Sequence, residues 1–477
     1  MFEGLTLVQM AEHVQRGTIT SVELVEHYLS MIDALNPALN AIIQRPEREA
    51  LVQQAATADA MAANGTSLGP LHGVPITIKD VLHVKGFTLS RGVAEFMSGP
   101  SEVDATAVAR LRQAGAIILG LTNVPELCMS FESNNLLYGR TNNPYDVSRT
   151  PGGSSGGEAA AIAAGLSPAG LASDAGGSVR IPAHFTGICS LKLTQGRVPL
   201  TGQFPRERAG LFHHTSSFGV MAKHVADLEL MGRLIAGPDG HDPDTVDAPW
   251  PVAPPAKSKP RVAFLMGSER LPIAASVSAV LTEVLRLIPE FTEDITEACP
   301  DQFDEASEVM WRLFITGGDG GHGWKQLLKD IGKSTTTPQL QGLIDMSEDV
   351  RPSTLEMKQD WIAFDQFKYK LAAFFRKYDL LITPVYPDIA FRHGQSLEDR
   401  SKYGFVFPFS LSGSPAVVLR AGTDQSTGMP IGIQIVSAHW QEAKLLAFAR
   451  QLEEVLPKWE PAHVSTALQS VPELVES

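Results

Sequence analysis

Residues 149–180 read RTPGGSSGGEAAAIAAGLSPAGLASDAGGSVR. Two serine turns framed by glycine, Gly152-Gly153-Ser154-Ser155-Gly156-Gly157 and Gly176-Gly177-Ser178, enclose a run of alanines. The small residues of 159–164 favour helix and, lacking bulk, allow tight packing against neighbours. Glycine beside serine lets the backbone take unusual angles and approach a ligand closely. Such turns also leave amide N–H groups free to face a developing oxyanion. One Gly/Ser turn alone reads as a flexible loop. Two in series read as a site, because Lys79 ends an apolar run upstream, Pro75-Ile76-Thr77-Ile78-Lys79. By itself that lysine would read as a surface residue with its stem laid along the protein. At the end of a buried strand its ammonium form is penalised by desolvation.

The order lysine, GGSSGG, then GGS-hydrophobic-Arg resembles the amidase signature family, and Ser154 and Ser178 are 24 residues apart, as in that family. The resemblance runs from Leu5 to about Glu454. It implies an α/β fold of three layers, α/β/α, with a mixed, mostly parallel central sheet and helices on both faces. One domain over residues 1–477 is expected, with a helical, pocket-covering segment at about 273–378.

Amide hydrolysis needs an activated nucleophile, donors for the oxyanion and an acid for the departing nitrogen. Ser178 is the expected nucleophile, with the amides of Ala175, Gly176, Gly177 and Ser178 as oxyanion donors. No histidine sits in these motifs, which leaves Lys79 as the base. Lowering its pKa from ~10.4 toward 7 requires roughly 4–5 kcal/mol of discrimination against the ammonium form, within the reach of burial. Ser154 would relay the proton between Ser178 and Lys79. By resemblance Ser154 follows a cis peptide bond from Gly153, Ser155 donates a supporting hydrogen bond, and Asp174 and Arg180 brace the nucleophile loop.

Met129, Ser130 and Phe131, next to Cys128, are expected beside the nucleophile as substrate-binding residues. With Trp311, Phe314 and Trp324 they suggest an apolar pocket for aryl, alkyl, anilide or carbamate substrates, with ester cleavage by the same acyl-enzyme route. Ordinary core packing accounts for the aromatics equally well. The Gly-rich segment 317–323 reads as a loop between packed helices, or alternatively as a hinge over the pocket.

The family also contains the A component of the glutamine-dependent amidotransferases, an ammonia donor in a tRNA-directed complex, and shares its catalytic motifs with it. That component's aspartate for the glutamine amino group matches Tyr403 here, and its asparagine matches Ser410. Neither supplies charge for a zwitterion, so a stand-alone hydrolase is the favoured reading. Ser216 and Val220 also stand where the family has aspartate and proline.

A net charge of −14 argues against nucleic acid or an anionic membrane as partner. Three cysteines are too few and scattered for a disulfide framework, and no cofactor or metal is expected. The turn 239–244 is acidic but lacks metal-loop spacing. Met1-Phe2-Glu3-Gly4 has neither the basic patch nor the apolar run of a signal peptide, so a cytoplasmic location is expected. By resemblance a homodimer is the expected assembly.

Local patterns predict two helices within 5–43, the second capped by Ser21 and ended by Asn36-Pro37, and further helices over 46–64, 106–115 and 442–456. They predict strands at 75–79, 116–120, 187–194, 261–265, 379–384, 416–419 and 430–436. A Pro-rich connector is expected at 249–260.

Overall fold

The computed structural model describes residues 2, 4–204, 211–251, 259–462 and 464. Thr20 rather than Ser21 caps the helix Ser21–Leu39, because its hydroxyl accepts the Glu23 N–H while the Glu23 carboxylate accepts the Thr20 N–H. This helix carries Pro37 inside its last turn and closes at Asn40. The Asn36 carboxamide gathers the amides of Ala41 and Ile42 just beyond, so the chain turns there and not at the proline. The Pro-rich connector lies largely outside the described residues, at 252–258.

The strands are β1 (Ile42–Gln44), β2 (Pro75–Lys79), β3 (Ile117–Thr122), β4 (Asn134–Asn135), β5 (Gly139–Arg140), β6 (Ala169–Asp174) and β7 (Cys189–Lys192), followed by β8 (Ser217–Ala222), β9 (Arg261–Phe264), β10 (Asp294–Glu297), β11 (Leu380–Pro384), β12 (Ala416–Thr423) and β13 (Pro430–Ser437). Strands β4 and β5 pair as a hairpin, and the other strands join one sheet in the order β1-β3-β2-β6-β8-β7-β12-β13-β11-β9-β10. Its parallel pairings are β2 with β3, β2 with β6, β9 with β10 and β9 with β11. The remaining pairings are antiparallel. The sheet is therefore mixed as expected, but antiparallel pairs outnumber parallel ones, which corrects the expectation of a mostly parallel sheet. The physical reason lies in the connections. Helix Thr106–Gln113 carries the chain from β2 back to a parallel β3, whereas β12 and β13 are joined by a tight turn in which Asp424 accepts the amides of Ser426 and Thr427.

Alternation along the strands divides the core between the two faces. Ile76, Ile78, Leu171, Val220, Val417 and Ile435 belong to one apolar cluster, with helices Ser21–Leu39 and Glu442–Val455. Ala172, Met221, Val418 and Val436 belong to the other, with helices Phe303–Val309 and Thr354–Lys377. Helices thus cover both faces. The segment expected to be helical at 273–378 also contains β10. Its residues Asp294, Ile295, Thr296 and Glu297 form an edge strand without an apolar run, so the sequence gives no sign of it.

Candidate active site

Lys79 ends β2 and is completely buried. The Ala-rich helix Gly156–Ala163 lies over this face of the sheet, every residue of it buried. Its Glu158 carboxylate accepts the hydroxyl protons of Thr77 and Thr122, the residues two before Lys79 and opposite it on β3. A side chain at Gly170 would collide with that carboxylate, so glycine makes the room. Burial raises the Glu158 pKa to about 7, while the threonine hydroxyls and Lys79 oppose the shift.

Lys79 Nζ lies 2.7 Å from Ser154 Oγ and 3.3 Å from both the carbonyl and hydroxyl oxygens of Ser173. Burial lowers its pKa below the ordinary lysine value, with Cys128, Asp174 and Glu158 acting in the opposite direction. The peptide bond between Gly153 and Ser154 is cis. Gly153 is pressed against the backbone of Ser130, Phe131 and Glu132, where a Cβ would come within 2.7 Å. The two serine turns are tied together, the Ser155 N–H donating to the Ser178 carbonyl at 3.2 Å. Ser155 Oγ donates only a long bond, 3.4 Å, to the Ser173 carbonyl.

Asp174, at the end of β6, organises the nucleophile turn. Its carboxylate accepts the amides of Gly177 and Val179 at 2.7 and 3.1 Å and the Arg180 guanidinium at 3.0 and 2.9 Å. Burial alone would raise its pKa, but Arg180 outweighs it and holds the carboxyl well below the usual range. Arg180 reaches on to the Val406 carbonyl, Gln434 Oε1 and Ser410 Oγ. Gly177 has φ of +111°, open to glycine and strained for other residues. Its amide is committed to Asp174, which corrects its expected place among the oxyanion donors. Among the described residues no acceptor takes the amides of Ala175, Gly176 or Ser178.

Ser154 and Ser178 open onto a cavity of about 340 Å³. Cys128, Met129, Ser130 and Phe131 line it, and so do Trp311 and Trp324. Phe314 does not: it is buried against Trp361 and Phe364. The wall also includes Ser216, which the sequence marked only as a departure from the family's aspartate, and Val81, Gln203, Phe204, Phe212 and Leu397, which the sequence did not single out. These five come from four separate stretches and share no motif that could have marked them. Tyr403 stacks on Phe131, ring centroids 3.7 Å apart, and its hydroxyl donates to the Ser396 carbonyl. The 239–244 turn spends Asp239 on the amides of His241 and Asp242 and on Thr106 Oγ1. Among the described residues no helix is long and apolar enough to cross a membrane.

The model of the family described as amidase matches residues 23–446. The chain is 32% identical over 475 residues to an acylamidase of Rhodococcus erythropolis, covering 95% of this chain and 96% of that one. It is 33% identical over 476 residues to the A component of the glutamyl-tRNA(Gln) amidotransferase of Chloroflexus aurantiacus, covering 93% and 94%. The solved structure of 6-aminohexanoate cyclic dimer hydrolase with substrate is similar at a TM-score of 0.82 and 26% identity, covering 97% of this chain and 100% of that one. Buried lysine, paired serine turns, fold and family model agree: the chain belongs to the amidase signature family of enzymes that cleave amide C–N bonds.

Proposed function

We propose that this chain is a stand-alone amidase that hydrolyses a small, neutral, largely apolar amide through a Ser178 acyl-enzyme. The observation that carries the reading is the 2.7 Å contact between a fully buried Lys79 amine and the Ser154 hydroxyl at the floor of an apolar cavity. Neutral Lys79 takes the Ser154 proton as Ser154 takes that of Ser178. The Ser178 oxygen then attacks the carbonyl carbon. The amides of Ala175, Gly176 and Ser178 receive the oxyanion, each such donor being worth ~3 kcal/mol of barrier. Collapse expels the amine with a proton returned through Ser154, and water repeats the sequence on the ester to release the acid.

The lining favours an uncharged substrate. Asp174, the carboxylate on the wall, is already held by Arg180. Tyr403 presents a ring and no charge where the amidotransferase component would hold a glutamine amino group. A glutaminase role is therefore the weaker reading, although a relative of that kind matches at a similar level of identity. Whether this chain acts alone or with partner proteins belongs to the same proposal.

Replacing Ser178 with Ala is expected to abolish turnover of simple amides, anilides, carbamates and p-nitrophenyl esters while leaving the circular dichroism spectrum intact. Near-normal activity in that variant would remove the assignment. Glutaminase activity appearing only with added partner proteins would reverse the choice between the two readings.

A further inference from the structure

The serine and carboxylate side chains on the cavity wall that the proposed chemistry does not use all have partners. Ser130 Oγ accepts the Glu132 amide, Ser216 Oγ donates to the Phe212 carbonyl, Ser173 faces Lys79 and Asp174 is held by Arg180. Ser154 and Ser178 belong to the proposed chemistry. Gln203 stands apart. It lines the same cavity, is 6% exposed, and its Oε1 is buried with no hydrogen-bond partner among the described residues. Among the described residues nothing pairs with its Nε2 either.

The backbone around Gln203 is fixed. Its N–H donates to the Leu200 carbonyl, it bridges to Leu82, and the next amide, of Phe204, donates to the Val81 carbonyl. Residues 81 and 82 closely follow the strand that ends in Lys79. The carboxamide is therefore held on a short, pinned segment anchored beside the catalytic lysine. A buried amide left without a partner is unfavourable, and sites of this kind discriminate against ligands that fail to complete the bond.

We infer that Gln203 is a specificity-determining residue, whose carboxamide pairs with a neutral hydrogen-bonding group of the substrate beyond the scissile amide. The substrate class is then an apolar amide carrying one further uncharged donor–acceptor, a hydroxyl or a second amide, on its skeleton. A carboxamide offers a donor and an acceptor together, and such a group answers both. An ionised group is disfavoured, because no opposite charge stands free on this wall among the described residues.

The inference rests on the aryl and alkyl amide reading above, and the test separates the two. Phenylacetamide and its 2-, 3- and 4-hydroxy derivatives are compared as substrates of the purified full chain, of Gln203→Leu and of Gln203→Met. Wild type is expected to favour at least one hydroxy derivative over phenylacetamide by about 10-fold in kcat/KM, the gain of one neutral hydrogen bond. The preference should reside mainly in KM, and both variants should bring the ratio close to one. The methionine variant keeps the reach of glutamine without its polar end, which guards against a fold defect specific to leucine. Turnover with no hydroxy preference in wild type, or with a preference unchanged in the folded variants, overturns the Gln203 assignment and leaves the amidase reading standing. No turnover of any of the four amides overturns the aryl amide reading, and the Gln203 assignment with it.

Discussion

Lys79 and Lys192 are both fully buried, each at the last position of its strand, β2 and β7. Burial lowers the pKa of both, for Lys192 to about 7, with Arg180 adding to the shift and Asp174 and Glu442 opposing it. What differs is what each amine meets. Lys192 Nζ donates to two main-chain carbonyls, of Ser414 at 2.9 Å and Leu193 at 3.3 Å. A carbonyl accepts a hydrogen bond but has no proton to give. Lys79 meets a hydroxyl, Ser154, that opens onto the cavity. Desolvation can make a lysine a usable base, but only a neighbour able to pass protons makes it a catalytic one.

The sharpest way to break this contrast is to remove each amine in turn. Lys79→Met should lower kcat/KM by at least the 10²–10⁴-fold typical of a lost general base, measured on whichever amide wild type turns over best. Lys192→Met should keep most of it. Equal inactivation of two folded variants would end the comparison. The pH profile sharpens it further. Since the folded pKa of Lys79 lies below the ordinary 10.5, the neutral amine accumulates as pH rises, and wild-type kcat/KM should climb through an apparent pKa below 10.5 and then level off. Between those two values the unfolded chain holds a proton that the folded protein has released, so the contribution of this residue to stability increases with pH there. Lys79→Met should remove that slope from chemical denaturation curves.

The next largest effect is expected on stability. Asp174→Asn leaves the buried Arg180 without its carboxylate, and loss of one partner from such a pair costs about 3–5 kcal/mol. Thermal unfolding should register it as a lower Tm, together with reduced activity from a loosened nucleophile turn. Because the folded pKa of Asp174 is depressed, its contribution is fully present above the unfolded value of about 3.9 and is lost progressively as pH falls from there through the lower folded value.

For Lys192→Met the expected cost is smaller, about 1–3 kcal/mol for each carbonyl left unpaired, partly offset by removal of a buried ammonium. Differential scanning calorimetry reads the net. Ser155→Ala closes the series. Its 3.4 Å bond is long, and less than about 1 kcal/mol is expected, with kcat/KM nearly unchanged. A collapse of activity in this variant would show that the Ser155 side chain does more for the serine turns than its geometry indicates.

Much of the chain was legible because its signals are local. Alternating apolar residues marked β2 and β13, a continuous apolar run marked β11, and local patterns placed the helices at 5–43, 46–64, 106–115 and 442–456 to within a few positions. Boundaries slipped where a neighbour decided them. Thr20 displaced Ser21 as cap through its reciprocal bond with Glu23, and Asn36 carried the helix past Pro37. β10 was invisible because an edge strand of mixed charge makes no apolar pattern. The strand directions were misjudged for a related reason, since pairing depends on which distant strands meet.

By itself, the sequence determined the chemistry it could write in consecutive residues: glycines that permit sharp turns around Ser154 and Ser178, and an apolar strand that must bury Lys79. Folding decided which groups those residues face. It gave the Gly177 amide to Asp174, left Gln203 without a partner among the described residues, and sent Phe314 into the core while Trp311 kept the cavity wall. A hydrogen bond between residues a hundred positions apart depends on sheet order and helix packing, and these are settled by the summed burial of the whole chain rather than by any one segment.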